Sequence, residues 1–440
     1  MKFQPPRGMK DIEEDEMFRR EYIYGKIVGV LKRYGFRFVE ASALENIETL
    51  AVKAGPGIEN EIYCFKDKSD RKIGLRFDLT VGIARMVASN KMPKPIKIAC
   101  ISNVWRYDRP QFARYRSFWQ WDAEIFGVAG AEADAEIIAA TYDILKSFSL
   151  DFEIRVNSRK LIEGFLVDIG VKEKNLLPVL RAIDKTTKLS KTDMLAEFKK
   201  YGIKKPQAEK ILELCSRRGG IEILENFEVP DNKLAKDGLR ELKELFNYLK
   251  AYNKADNCMI DFSIVRGIDY YTGIVYEAWI KNEKKPNDDQ RSSSDLGAVA
   301  GGGRFDNLVG LYGDAMPATG IAGGIERLLL SLEKKIPEDM IERVPKILVV
   351  YTSNELFEKA LQVLQKIRRS TPADIDMLKR NLRKQMDYAN SKGIPYIVLV
   401  GQQELDRNSV KLKNMASGEE SEVSMDDLEN EIRKLKRPEA

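Results

Sequence analysis

The chain contains no histidine among its 440 residues. A chain of this length and ordinary composition would carry about ten. The absence excludes a Ser-His-Asp triad, a histidine general base and any histidine metal ligand. Chemistry carried out by this protein must therefore rely on Arg, Lys, Asp, Glu or Tyr side chains, or on a bound ion.

Cysteine and long apolar runs are also scarce. The four cysteines are scattered, and they form no Cys-x-x-Cys pair. This pattern excludes a cysteine-only zinc site and a disulfide framework, and it suits a reducing cytosol. No apolar run reaches the ~20 residues of a membrane-spanning helix. The opening MKFQPPRGMKDIEEDE does not resemble a signal peptide, so we expect a cytoplasmic protein with no membrane segment.

The overall composition is that of a globular protein. Hydrophobic residues make up 43% of the chain and charged residues 32%, and Lys plus Arg exceed Asp plus Glu by 73 to 68. Such a chain can bury a core, and its length predicts two to four domains of about 100–200 residues each. The mild positive charge permits an anionic partner without requiring one.

Short strands with close connections alternate with helices in the first 170 residues. The clearest strands are predicted at 96–105 and 118–126, and the clearest helix at 131–147. Closely connected strands of this kind favour an antiparallel sheet flanked by helices, which is an α+β fold.

The character of the chain changes near residue 171. Residues 172–218 contain thirteen Lys or Arg against six Asp or Glu, in a helical pattern. This segment is either a solvated helical insertion or a phosphate-facing surface. Strand and helix patterns alternate again after residue 345, and they predict a separate α/β unit with a partly parallel sheet. We therefore divide the chain into a core in two parts (1–171 and 251–333), a helical insertion (172–250) and a C-terminal unit (345–440).

The densest polar segment is WRYDRPQFARYRSFWQWDAE, residues 105–124. Four arginines fall within eleven residues of it, around a turn between two predicted strands: Arg106, Arg109, Arg114 and Arg116. Arginine keeps its charge at neutral pH, and its planar fork binds two phosphate oxygens at once. Tyr115 and Phe118 can stack on a base, so the segment favours a nucleotide triphosphate site. The alternative is a salt-bridged hairpin surface, which the shortage of nearby carboxylates disfavours.

Three further segments are each weak evidence of a functional site when considered alone. LRFDLT (75–80) ends a strand with a carboxylate and a hydroxyl, and VRGIDYY (265–271) follows a strand with a charged, aromatic turn. GIAGGIER (320–327) runs from a flexible strand end into a helix. Each could serve only packing or an ordinary turn, and GGGRFD (301–306) could be a bulge and turn.

Together, and in this order, the segments resemble the class II aminoacyl-tRNA synthetases. Arg106 with Phe118 resembles motif 2, and GGIER (323–327) resembles motif 3. VRGIDYY and GGRFDNL (302–308) resemble two segments peculiar to histidyl-tRNA synthetases, with Phe305 where tyrosine is commoner. The resemblance covers essentially the whole chain. Motif 1, which builds the dimer interface in this class, usually contains a proline, and here Ser42 stands near that place.

The resemblance implies an activity, partners and a domain arrangement. Histidine would be joined to the α-phosphate of ATP, with Mg²⁺, and then transferred to the 3′ end of tRNA(His). The reacting phosphate gains negative charge and needs no proton-transfer side chain, so a histidine-free protein can perform the step. The implied assembly is a homodimer with a class II antiparallel-sheet core, and the C-terminal unit is the implied anticodon-binding domain. The resemblance assigns no metal ligand among the side chains.

The resemblance also assigns roles to individual residues. The implied catalytic residues are Arg266 and Arg106. The implied histidine-binding residues are Asp78, Leu79, Thr80, Arg106, Gln120, Glu124, Arg266, Tyr270 and Tyr271. The implied ATP-binding residues are Arg106, Asp108, Arg114, Tyr115, Phe118 and Arg327. In this scheme Glu124 and Tyr271 bind the two imidazole nitrogens, which present one donor and one acceptor when neutral.

Two other functions account for part of these features. A synthetase-like regulatory subunit of histidine biosynthesis binds without aminoacylating, but such proteins tend to lack the C-terminal domain and an arginine matching Arg266. A class II synthetase for proline, threonine or glycine leaves the segment 266–271 unexplained. The candidate tRNA contacts are the basic insertion and residues 366–392, which contain eight Lys or Arg against three Asp or Glu.

Overall fold

A computed structural model describes residues 3–52, 60–107, 115–186, 189–225, 227–266, 270–281, 297–332, 335–336 and 345–435. The chain forms two compact units, Met1–Lys335 and Ile336–Ala440.

The described residues of the first unit form ten α-helices and twelve strands. The helices are α1 (Glu14–Arg33), α2 (Ile47–Ala51), α3 (Thr80–Ala88), α4 (Ala131–Ser147), α5 (Arg159–Asp168), α6 (Glu173–Ile183), α7 (Lys191–Lys200), α8 (Lys205–Ser216), α9 (Lys233–Ala251) and α10 (Ile325–Leu332). The strands are β1 (Arg37–Phe38), β2 (Leu44–Asn46), β3 (Cys64–Lys66), β4 (Lys72–Leu75), β5 (Ile96–Trp105), β6 (Ser117–Phe126), β7 (Phe152–Ser158), β8 (Arg218–Gly219), β9 (Cys258–Asp261), β10 (Ile274–Ile280), β11 (Ala300–Arg304) and β12 (Ala318–Gly324).

A nine-stranded sheet forms the centre of the first unit, in the order β1-β5-β6-β12-β11-β10-β7-β9-β8. Neighbouring strands from β5 through to β7 pair antiparallel, whereas β1–β5 and β7–β9 are parallel pairs. The predicted antiparallel sheet flanked by helices is confirmed.

The two faces of the sheet have different coverings. Asp134 of α4 forms a buried ion pair with Arg304 of β11, and its carboxylate also accepts a 2.6 Å hydrogen bond from Thr319 of β12. Helix α4 therefore covers the face on which Arg304 and Thr319 lie. On the opposite face, α3 packs in an apolar cluster with Ile98 and Cys100 of β5. Because side chains alternate along a strand, this second face also receives every other residue of β6.

The segment between α5 and β9 is mostly helical. Helix α7 contacts α6 and α8, while α9 packs against α4 and α5, and β8 pairs with β9 at the edge of the central sheet. Strands β2, β4 and β3 form a separate small sheet.

The second unit has its own sheet and core. Its strands are β13 (Ile347–Tyr351), β14 (Ala373–Ile375), β15 (Tyr396–Val400), β16 (Ser409–Asn414) and β17 (Glu420–Ser424), in the order β14-β13-β15-β16-β17. Its described helices are α11 (Phe357–Ile367), α12 (Leu382–Ser391), α13 (Gln402–Asp406) and α14 (Leu428–Lys434). Strand β13 is parallel to β14 and β15, which confirms the predicted partly parallel sheet, whereas β16 and β17 were not predicted.

Candidate active site

The second face of the central sheet carries polar side chains on β6 beside a strip that has almost no side chains. Gln120, Asp122 and Glu124 alternate along β6, opposite Gly324, Ala322 and Gly320 of β12. Gly303 and Gly301 of β11 continue the strip. We call Gly301, Gly303, Gly320 and Gly324 the glycine floor.

Three of the predicted site residues touch the glycine floor. A Cβ at Gly320 would lie 2.7 Å from Cγ of Glu124, and one at Gly301 would lie 2.6 Å from Nη1 of Arg266. A Cβ at Gly303 would lie 3.0 Å from Cδ1 of Tyr271. Any larger residue would fill the space between these side chains, so the glycines are needed for close approach.

The carboxyl group of Glu124 is buried without a partner. Its side chain is 1% exposed, and neither carboxyl oxygen has a hydrogen-bond partner within the described residues. Burial, together with the charge of Asp122, raises the pKa of Glu124 well above its usual value. A buried carboxyl group of this kind is costly unless a ligand donor satisfies it.

The residues at the start of α3 meet β6 around Asp122. Thr80 Oγ1 donates to Asp122 Oδ2 at 3.3 Å, and Gln120 Nε2 donates to Asp122 Oδ1 at 2.9 Å. Asp78 accepts a hydrogen bond from the backbone N–H of Val81 at 3.1 Å, and burial raises its pKa. The structure thus brings Asp78, Thr80 and Gln120 together.

Leu79 stands apart from this polar group. It is fully buried in the apolar cluster that holds α3 against the sheet. Its side chain therefore contributes packing that positions its two neighbours, Asp78 and Thr80.

Arg106 follows the end of β5 and stays close to β6. Its Nε donates to the backbone carbonyl of Phe77 at 2.8 Å, and its guanidinium lies 5.1 Å from the centre of the Phe118 ring. The backbone bond holds the side chain on the segment that leads into Asp78. Burial raises the pKa of Asp78, and the positive charge of Arg106 partly offsets this rise.

Arg266 and the tyrosine pair lie across the floor from β6. Arg266 has a φ of +53°, a left-handed conformation that is uncommon for a residue with a side chain. Its Nη1 donates to Glu277 Oε1 at 2.8 Å, and its guanidinium lies 5.8 Å from the centre of the Tyr271 ring. Burial disfavours the charged form, but Tyr271 and Glu277 outweigh burial and raise the pKa of Arg266. The rings of Tyr270 and Tyr271 are 4.8 Å apart, and both residues are buried.

The structure describes part of the predicted ATP-binding set. Nη1 of Arg327, near the start of α10, donates to the carbonyl of Ala298 at 2.5 Å. The ring of Tyr115 lies 4.7 Å from Nζ of Lys10. Two members of the set, Asp108 and Arg114, lie outside the described residues.

Sequence reasoning missed several polar residues that support the site. Asp122 could have been found, because strict alternation in QWDAE places it between Gln120 and Glu124 on one face. Glu326 accepts hydrogen bonds from Nη2 of Arg20 at 2.8 Å and from the backbone N–H of Trp119 at 3.1 Å. Arg20 and Glu326 are 306 residues apart, and no local pattern links them. Glu277 was missed for the same reason.

The described residues contain neither a cluster of metal-binding side chains nor a membrane-spanning helix. Among the residues that the structure covers, no three Cys, Asp or Glu side chains form a group that could hold a metal ion. Nor does any helix in the described ranges have the length and apolar character needed to cross a membrane.

Comparison with known proteins gives one consistent family. Residues 8–328 match the family model described as histidyl-tRNA synthetase, and residues 346–435 match an anticodon binding domain. A curated histidine–tRNA ligase of Pyrococcus furiosus is 36% identical over 431 residues, 96% of each chain. A second, from Methanocaldococcus jannaschii, is 31% identical and covers 97% of this chain and 99% of its own.

A solved structure agrees with these relatives. The crystal structure of the histidyl-tRNA synthetase from Nostoc sp. PCC 7120 superposes with a TM-score of 0.81 at 28% identity and covers 99% of both chains. The class II fold expected from the resemblance is thereby confirmed, and use of ATP follows from the family. With a family model over most of the first unit and near-full-length relatives above 30% identity, the chain belongs to the histidyl-tRNA synthetase family.

Proposed function

We propose that this chain is a histidine–tRNA ligase that activates L-histidine with ATP and transfers it to the 3′ end of tRNA(His). The observation that carries the proposal is the glycine floor, with unpartnered Glu124 touching it from β6 and Tyr271 and Arg266 touching it from the other side. The names of the curated relatives and the match to an anticodon binding domain support the same function.

The floor suits a flat imidazole ring. Gly303 and Gly320 pair directly across β11 and β12, so Glu124 and Tyr271 approach the floor at one level. Glu124 accepts from one imidazole N–H, and the Tyr271 hydroxyl donates to the other ring nitrogen. An amino acid that lacks either group leaves a buried polar atom unpaired, which penalises its binding.

The arginines supply the positive charge that the activation step requires. Arg106 binds the α-phosphate and Phe118 stacks on adenine, while Arg327 with Arg114 binds the outer phosphates. Arg266 lies at the floor, where it meets the histidine carboxylate and the α-phosphate as charge develops between them. Mg²⁺ bound together with ATP would add positive charge on the phosphate oxygens.

The remaining parts of the proposal concern domains and partners. Residues 1–171 and 251–333 form the catalytic core, 172–250 the helical insertion and 345–440 the anticodon-binding domain. The basic insertion and the 366–392 cluster contact tRNA phosphates, which bind Lys and Arg side chains. The enzyme acts as a cytoplasmic homodimer.

The rival function, a regulatory subunit of histidine biosynthesis, fits fewer of the observations. It leaves the anticodon binding domain at 346–435 without a purpose. It also leaves unexplained why a half-buried arginine, Arg266, is held by an ion pair at the edge of the floor.

The test is ATP–pyrophosphate exchange with each of the twenty amino acids in turn. We expect rapid exchange with histidine alone, followed by charging of tRNA(His) when tRNA is added. Equal exchange with proline or threonine rejects the imidazole pairing. Histidine binding without exchange, measured by calorimetry, identifies the regulatory subunit instead.

A further inference from the structure

Helix α1 contacts the start of β6 through two residues that are one helical turn apart. Arg20 is only 1% exposed, which is uncommon for arginine, and its Nη2 donates to Glu326 Oε1 at 2.8 Å. The centre of the Tyr24 ring lies 5.3 Å from that of Trp119. Side chains alternate along a strand, so Trp119 faces α1, while its neighbour Phe118 packs on the other face with the apolar cluster of α3. Helix α1 therefore supports, from behind the sheet, the strand end that carries Phe118.

Glu326 joins this contact to both segments that carry proposed ATP-binding residues. Its two carboxyl oxygens accept from the backbone N–H of Trp119 at 3.1 Å and 3.2 Å, which fixes the residue that follows Phe118. Glu326 also lies in the first turn of α10, directly before Arg327. The proposed function gives roles to Phe118 and Arg327 but none to the buried arginine that pairs with Glu326.

A second chain of contacts leads from Arg20 to Tyr115. Nε and Nη2 of Arg20 donate to Glu16 Oε1 at 3.2 Å and 2.9 Å, and Nζ of Lys10 donates to the same carboxylate at 2.8 Å. The ammonium of Lys10 lies 4.7 Å from the centre of the Tyr115 ring. Contacts to both ends of residues 115–119 thus meet at Arg20.

We propose that Arg20 is a positioning residue for ATP that acts through Glu326. By holding this carboxylate, it fixes the end of β6 that carries Phe118 and the start of α10 that carries Arg327. The planar fork of Arg20 suits this role, because it bonds Glu16 and Glu326 at the same time. The inference rests on the proposed function, since it concerns how the same enzyme binds its nucleotide.

Loss of Arg20 removes the cation that the buried carboxylate of Glu326 binds. An unpaired buried charge is unfavourable, so the carboxylate takes up a proton or turns toward water. Either change weakens the bond to the Trp119 N–H and loosens the strand end. The histidine side of the site is held separately, because Gln120 bonds Asp122 and both residues pair with β12.

The test is pyrophosphate exchange by Arg20→Met, with KM measured for ATP, for pyrophosphate and for histidine. Methionine retains an unbranched side chain but lacks the charge. We expect the KM values for ATP and pyrophosphate to rise at least about 10-fold, because Phe118 and Arg327 are no longer held in place. The KM for histidine should change less than about 2-fold. Arg20→Lys should give intermediate values, because an ammonium restores the charge but not the fork.

A double variant separates positioning from stability. In Arg20→Met/Glu326→Met two apolar side chains replace the buried ion pair, an exchange that is often neutral for stability. The free energy of unfolding should therefore recover relative to Arg20→Met, while the KM for ATP stays raised because the Trp119 N–H has lost its acceptor. Should Arg20→Met fail to fold, the double variant tests the same KM values.

Arg304→Met is the matched control. Arg304 is also a buried arginine, 3% exposed, and its Nε donates to the buried carboxylate of Asp134 at 3.0 Å. This ion pair joins β11 to α4 and does not involve α1 or α10. Its loss should lower the free energy of unfolding without raising the KM for ATP relative to the KM for histidine.

The outcomes separate the two proposals. A wild-type protein without histidine-dependent exchange defeats the proposed function. With normal wild-type exchange, Arg20 loses its proposed role if its variants leave all three KM values unchanged or raise them equally. The same conclusion follows if the double variant recovers the wild-type KM for ATP together with its stability.

Discussion

The guanidinium of Arg266 is held by Glu277, whose Oε1 accepts from Nη1 at 2.8 Å. The other oxygen of Glu277 accepts from the indole N–H of Trp279 at 3.1 Å, which orients the carboxylate. Glu277 pairs directly with Gly301 across β10 and β11, so the ion pair lies beside the glycine floor. Arg266 is therefore placed at the floor before a substrate arrives, and preorganised charge of this kind is effective in catalysis.

Replacing Arg266 by alanine should lower the rate of histidyl-adenylate formation about 10²–10³-fold, with a smaller effect on the KM for histidine. The reason is that Arg266 meets charge that grows only in the transition state. Single-turnover measurement of adenylate formation tests this. Arg266→Lys should recover only part of the rate, because an ammonium cannot reproduce the planar fork. A change confined to KM would make Arg266 a ground-state binding residue.

Two adjacent glycines should respond differently to the same substitution. In Gly301→Ala the new methyl group meets the mobile end of the Arg266 side chain at 2.6 Å. We expect near-normal stability and a rate of adenylation lowered about 10-fold or more, because the guanidinium is displaced. In Gly302→Ala the methyl group meets the backbone carbonyl oxygen of Gly320 at 2.0 Å. A backbone atom in a paired strand cannot move aside as the end of a side chain can, so the free energy of unfolding should fall by about 3 kcal/mol.

Urea unfolding and single-turnover kinetics of both glycine variants check this prediction. Gly25→Ala serves as the control, because a Cβ at Gly25 of α1 meets nothing within 4 Å. A stable Gly302→Ala protein would contradict the packing of β11 against β12.

The free energy of unfolding should depend on pH through Asp122. Burial raises the pKa of this carboxyl group to about 8, whereas in the unfolded chain it titrates near pH 4. Between these values the folded state binds more protons than the unfolded state, so stability falls as pH rises. Asp122→Asn removes this contribution. The stability of wild type relative to the variant should therefore decline from pH 5 to pH 8, by about 1 kcal/mol per pH unit. The free energies of unfolding of both proteins can be measured by chemical unfolding at each pH. If they change with pH in parallel, Asp122 does not titrate in this range.

A chain ending at Lys335 should make histidyl-adenylate but charge tRNA poorly. Every residue with a proposed role toward ATP or histidine lies at or before Arg327, and the second unit has an apolar core of its own. Pyrophosphate exchange and tRNA charging, each measured on both chains, test this. Because phosphate contacts release counterions, the intact enzyme should lose tRNA affinity more steeply with salt than the shortened one.

Two results would contradict the truncation prediction. Full charging by the shortened chain would show that the second unit does not read the anticodon. Loss of exchange in a chain that remains folded by circular dichroism would show that the second unit helps to build the active site.

Local patterns in the sequence were sufficient for three long elements. The strand predicted at 96–105 is β5, the strand predicted at 118–126 is β6 with one residue added, and the helix predicted at 131–147 is α4. Helix α4 contains five alanines, and alanine is the strongest helix former. Such elements are predictable because their periodicity is carried by adjacent residues.

Strand β11 shows where local patterns fail. By its sequence the run Gly301-Gly-Gly could have been a bulge and turn, yet these residues lie in the middle of the nine-stranded sheet. Glycine has a low strand propensity, and it is extended here because strands on both sides pair with it. The requirement for glycine comes from Arg266 at Gly301, and from the backbones of Gly320 and Ile274 at Gly302 and Gly303, all of which belong to other parts of the chain.

The candidate site also has features that the local sequence predicts and features that depend on tertiary contacts. The sequence alone shows the kinds of residue that the chemistry needs, because the spacing within a motif is local. Examples are the arginines without nearby carboxylates and the alternating Gln-Asp-Glu segment. The bonds from Arg20 to Glu326, from Arg266 to Glu277 and from Thr80 to Asp122 were not visible. These pairs depend on which faces of distant helices and strands are buried together, and that is settled only when the whole core packs.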